Sequence, residues 1–158
     1  MQAIELILLI HMAATWIMVG VIWFVQIVHY PLFRLIGRDE FSDYQLSHIH
    51  KTSQVVLVPM FIEMGTGGLL VLSPPADIPR WLPLMGMGML LIIWALTGFV
   101  QVPQHDILTS GFDEKAHRTL LLTNWLRTAL WSARGILVLY MLTRLLSLAA
   151  AALPQGIQ

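Results

Sequence analysis

From Trp81 to Val102 the chain reads WLPLMGMGMLLIIWALTGFVQV, 22 residues without a charged side chain. As an α-helix rising about 1.5 Å per residue, this stretch is ~33 Å long, enough to cross a bilayer core of ~30 Å. A soluble surface helix of that length needs a polar face, and this one has none. The rest of the chain agrees: 57% of its 158 residues are hydrophobic and only 11% are charged, against roughly 25% charged in a soluble domain. Too few polar side chains remain to cover a globule in water, so lipid is the outer solvent. Working outward, three more stretches qualify. The expected spans are 3–28, 44–72, 81–102 and 117–148, in a single domain over 1–158. The expected fold is all-α, an integral membrane four-helix bundle running up-down-up-down.

Local signals punctuate these spans. The second helix should begin near Phe41, because Asp43 to Lys51 carries no turn residue, and Ser73-Pro74-Pro75 ends it. Pro31 and Pro103 are expected to limit the first and third helices, since the residue before proline disfavours helical geometry. The N-terminus, Met-Gln-Ala-Ile-Glu, lacks the basic segment and cleavage site of a signal peptide, so the first span reads as retained. Arg34, Arg38, Lys51, Lys115 and Arg118 fall after spans one and three, against Arg80 and Arg144 on the other side. That bias predicts a bacterial inner-membrane protein with both termini outside. Nine basic and nine acidic residues cancel, which gives no support to nucleic-acid binding. With no cysteine there is no disulfide, thiolate metal site or thiol nucleophile.

Up-down topology gathers polar residues that are far apart in sequence. His29, His48, His50, His105 and His117 all fall at span ends on one membrane face, and only His11 lies elsewhere. At 100° per residue, each span presents one polar seam. His11, Thr15 and His29 share the first, Gln45, His48, Thr52 and Glu63 the second. Gln101 and His105 align on the third, and His117, Asn124, Arg127 and Arg134 on the fourth. His50 is out of phase and reads as a bystander. Glu63 lies about 22 Å along its helix from His48, so Glu63, Arg134 and His11 form a second layer in the other half of the bundle. A lone charge in lipid costs several kcal/mol, so Glu63 is expected to pair with Arg134 or Arg127.

Imidazoles from separate helix ends suit iron, copper or zinc, and His29, His48, His105 and His117 are the candidate ligands. A haem is the lesser option, because it needs two histidines facing each other at one depth. Without a metal, histidine, asparagine and arginine together can abstract a proton and stabilise an oxyanion. No established metalloenzyme or hydrolase motif selects among these.

Val102-Pro103-Gln104-His105-Asp106-Ile107-Leu108, followed by Asn124-Trp125-Leu126-Arg127-Thr128, resembles the anthrone oxygenase-like family of small four-span membrane proteins. The resemblance implicates His105, Asn124 and Arg127 as catalytic, with His105 standing where the family has asparagine. It implies oxidation of a lipophilic aromatic substrate by molecular oxygen. The expected function is therefore an intramembrane oxidoreductase that takes a lipophilic small molecule from the bilayer. The alternative is a non-enzymatic haem- or metal-binding membrane subunit or assembly factor. Assembly as a homo-oligomer is left open.

Overall fold

The computed structural model describes residues 3–76 and 78–151. Four long helices account for nearly all of them: α1 (Ala3–Leu35), α2 (Phe41–Leu72), α3 (Trp81–Leu108) and α4 (Glu114–Ala151). They form an up-down-up-down bundle, and each is long and apolar enough to cross a membrane. Short links keep sequential helices antiparallel. Gly111, between α3 and α4, takes a φ of +133°, a conformation that suits glycine because it has no Cβ to clash.

The side chains are distributed for a lipid solvent. Ile17, Phe24, Phe61, Phe99 and Ile136 are exposed, while Gln45, Glu63, Asn124 and Arg134 are buried. Apolar packing still fills three layers along the bundle axis. Leu8, Leu70, Leu82 and Val138 pack at one end, Met18, Ile22, Met60, Ile93 and Trp131 in the middle, and Phe33, Phe41, Leu108 and Leu120 at the histidine end. Lipid tails are as apolar as leucine, so close packing and hydrogen bonds between helices hold such a bundle together. On the aqueous face, Arg34 reaches Glu114 across 2.6 Å, with both side chains more than half exposed. An exposed pair of this kind contributes at most about 1 kcal/mol.

The two prolines expected to stop helices do not stop them. α1 continues through Pro31 to Leu35, and α3 continues through Pro103 to Leu108. In each case a π-helical turn lies just upstream, Val25–His29 in α1 and Thr97–Gln101 in α3. The amide of the residue before each proline bonds five residues back, Tyr30 N–H to Val25 O and Val102 N–H to Thr97 O. Proline has no N–H, and its ring crowds the carbonyl four residues earlier. The wider turn relieves that crowding, so the helix bends its register instead of ending. One extra residue per turn shifts the phase of everything after it.

Candidate functional site at the histidine face

That phase shift assembles the site. Beyond the π turn in α1, Tyr30 takes a core-facing position at 4% exposure, and His29 stays half-buried toward α2. The Tyr30 hydroxyl lies 3.0 Å from His105 Nε2 and 3.4 Å from Gln101 Oε1, both on α3. Gln45 of α2 bonds His105 Nδ1 through Nε2 at 2.8 Å. As oriented, the donors run one way. The Gln45 amide donates to His105 Nδ1, so His105 Nε2 carries the proton toward Tyr30, and Tyr30 donates to Gln101. The Gln101 amide then donates to Thr123 at 2.7 Å, and Thr123 to the Thr119 carbonyl.

A second chain enters from α4. Asn124 donates to Gln26 Oε1 at 2.9 Å, and Gln26 donates to the Leu121 carbonyl at 3.3 Å. Arg127 donates to Asn124 Oδ1 at 3.0 Å, stacks over the Trp131 ring at 5.2 Å and lies beside the Tyr30 hydroxyl. Arg127 is 7% exposed and its Nε has no partner. No carboxylate among the described residues pairs with it. A buried guanidinium without a counter-charge is unfavourable by several kcal/mol, and an anionic ligand would offset that.

A cavity of about 140 Å³ adjoins Arg127, walled by Tyr30, His48, Gln101 and His105 and by the apolar Met18, Ile22, Val25 and Val56. By the same measure, an apolar cavity of roughly 150 Å³ takes up benzene, so this one has room for a single ring. Asp106 also borders it, but is exposed and makes no ion pair.

His29 and His48 stand between this cavity and water. His29 Nε2 and His48 Nδ1 share a hydrogen bond of 2.7 Å, and Thr52 Oγ1 is 3.0 Å from the same His48 nitrogen. Both rings also line a cleft on the aqueous side with Glu40, Asp43 and Lys51. His48 Nε2 makes no hydrogen bond among the described residues. The pair thus has one ring on the inner cavity and both on the outer cleft.

The expected quartet of ligands does not assemble. His117 donates from Nε2 to the Tyr30 carbonyl at 2.8 Å and packs beside Phe33 and Phe112, fully buried. It fastens α4 to the end of α1. His29, His48 and His105 do lie in a row, with ring centroids 4.6 and 5.2 Å apart. Among the described residues no three histidine, aspartate or glutamate side chains form a metal-binding group. Two nitrogens sharing a tetrahedral metal at ~2.05 Å sit ~3.3 Å apart, whereas the His29–His48 nitrogens are in direct hydrogen-bond contact. His50 is exposed and, among the described residues, its side chain bonds only Gln54.

The second polar layer is centred on a buried ion pair, with Arg134 Nε left without a hydrogen-bond partner among the described residues. Arg134 Nη2 lies 2.9 Å from Glu63 Oε1, with both side chains essentially inaccessible. Thr15 donates to Glu63 Oε1 at 2.8 Å and Trp131 Nε1 to Oε2 at 3.0 Å. Arg134 also donates to the Gly86 carbonyl. The Thr66 hydroxyl donates to the Ile62 carbonyl, so its oxygen accepts from His11 Nδ1 at 2.7 Å and the His11 Nε2 lone pair faces Arg134. Gly67 makes room for the His11 ring, since a Cβ there would lie 3.2 Å from it. Gly65 and Gly68, by contrast, have open space where a Cβ would lie.

Tyr30 is the residue that sequence reasoning missed. A constant 100° phase put His29 on the inner seam, and the π turn puts Tyr30 there. The readable signal was that both odd-numbered helices carry a proline at the same place near their ends, Pro31 and Pro103. No family model, curated protein or solved structure matches the chain.

Proposed function

We propose that the chain is an intramembrane oxidoreductase, which binds a lipophilic hydroquinone as its anion and so makes it reactive toward dioxygen. The observation that carries this reading is Arg127: a buried guanidinium, without a carboxylate partner, beside a cavity the size of one ring. A phenolate oxygen supplies the missing charge, and the apolar wall accepts the ring. Arg127 is worth most to the ionised form, because a charge pair strengthens in a water-poor site.

His48 is the base in this account. Its free Nε2 takes the hydroxyl proton while Nδ1 passes one to His29, and His29 delivers it to the aqueous cleft. His105 and Gln101 hold Tyr30, whose hydroxyl sits beside Arg127. Asn124 sets the guanidinium in place. The hydroquinone anion then gives two electrons and its remaining proton to dioxygen, and a second proton returns from the aqueous cleft through His29 and His48, leaving a quinone and hydrogen peroxide. The oxygen chemistry is supported by the resemblance to the anthrone oxygenase-like family, and the single-ring limit by the cavity. A bacterial inner membrane, with the histidine face in the cytoplasm, fits the distribution of basic residues.

Protein in nanodiscs supplied with tert-butylhydroquinone should consume oxygen and release peroxide one for one, at a rate cut at least tenfold by Arg127→Gln and by His48→Ala. No excess over empty nanodiscs would overturn the proposal. The second reading, a metal-binding subunit, is favoured by the three imidazoles in a row. It requires the His29–His48 hydrogen bond to open, and elemental analysis of purified protein tests it.

A further inference from the structure

The inner cavity does not end at the protein interior. Val21, Val25, Thr52 and Val56 wall both it and a groove of about 390 Å³ on the lipid-facing seam between α1 and α2. A second hollow of about 380 Å³ continues along the same seam, sharing Val55, past Ile17 and Ala13 of α1 and Pro59 and Ile62 of α2. Both hollows are almost wholly apolar, and their only charged or titratable wall residues, His29 and Lys51, lie at the aqueous end. Gly20 contributes to the depth, because nothing lies within 4 Å of where its Cβ would be.

Length sets this seam apart from an ordinary lipid contact. From Val25 to Ile10 is 15 residues, or about 22 Å of helix. An acyl chain anchored in one leaflet spans only about 15 Å, half of the hydrocarbon core. A trough joined to a ring-sized cavity and reaching past the bilayer midplane matches a molecule with a ring at one end and a long tail at the other.

We infer that the α1/α2 seam binds the linear hydrocarbon tail, alkyl or polyprenyl, of a ligand whose ionisable ring occupies the cavity beside Arg127. This assignment rests on the reading of the cavity given above. It makes the substrate class a long-tailed hydroquinone lipid that never leaves the bilayer. The ring enters between α1 and α2 at the level of Val21 and Thr52, while the tail lies along Ala13 and Pro59. Chain length then selects by geometry more than by affinity, because moving a tail from lipid to an apolar groove gains little hydrophobic free energy.

A 4-alkylphenol with a 16-carbon chain and a terminal diazirine tests this in phosphatidylcholine nanodiscs, with the labelled peptides read by mass spectrometry. Labelling should concentrate in residues 10–17 and 58–62, at least about fivefold above any other lipid-facing stretch, a difference of roughly 1 kcal/mol. Excess 4-nitrophenol should compete it away. Gly20→Phe should reduce it as strongly, with Ala13→Leu as a second block if that variant fails to fold. Even labelling of all four helices, with 4-nitrophenol still bound, overturns the tail site and leaves the cavity reading intact. Absence of 4-nitrophenol binding overturns both.

Discussion

The Tyr30 hydroxyl and His105 Nε2 meet at 3.0 Å, each on a helix that has passed through a π turn ending two residues before a proline. The turns let α1 and α3 continue to the membrane face while rotating one inward residue from each toward the other. Tyr30→Phe removes the bonds to His105 and Gln101 together. It should lower the free energy of unfolding by about 1–3 kcal/mol, measured by denaturant titration in detergent. Pro31→Ala should leave the helix intact, since proline is the residue the turn accommodates and not one it needs.

Arg134 and Arg127, seven residues apart on α4, should respond oppositely to the same substitution. Arg134→Gln strands the Glu63 carboxylate and should destabilise the protein by about 3–5 kcal/mol. Arg127→Gln removes a cation that has no counter-ion, so stability should change by less than about 1 kcal/mol, or rise. Thermal unfolding of the two variants side by side decides it.

Glu63→Gln should destabilise as severely as Arg134→Gln, and the double variant should be much less unstable than the sum. A coupling of at least about 2 kcal/mol in that cycle is expected for a buried ion pair. Glu63→Gln keeps one oxygen that can accept from Thr15 or Trp131, so most of what the cycle reports is the charge.

His117 has a structural place, and the metal reading separates from it cleanly. His117→Ala should weaken the joint between α1 and α4 by about 1–3 kcal/mol and leave the metal content of the purified protein unchanged. His50→Ala, on an exposed position, should shift stability by no more than about 0.5 kcal/mol.

The fold was legible because a lipid solvent leaves little choice. An uncharged stretch such as 81–102 has one way to satisfy its backbone, and short links such as Ser73-Pro74-Pro75 make neighbours antiparallel. Helical phase likewise set Glu63, Arg134 and His11 on facing seams, and the three meet where uninterrupted α-helix keeps phase constant. The histidine face was legible only in outline. On α1 the inner set depends on a local change of pitch, which a constant 100° step cannot anticipate, whereas the same step did align Gln101 and His105 on α3. His29 was therefore read as inward and Tyr30 overlooked, and His117 was grouped with histidines that lie on the far side of Phe33. Arg127 stood out only once Glu63 was seen to be taken by Arg134.

Absorption of bound 4-nitrophenol tests the central claim most directly, because phenol and phenolate forms of the dye have distinct spectra. Nanodisc-embedded protein is titrated at a pH where the free dye is mostly neutral, alongside Arg127→Gln and empty nanodiscs. The account predicts that dye bound to the unmodified protein carries the phenolate spectrum and that Arg127→Gln abolishes it. Dye that binds in its neutral form, or a phenolate spectrum that persists in Arg127→Gln, would contradict it.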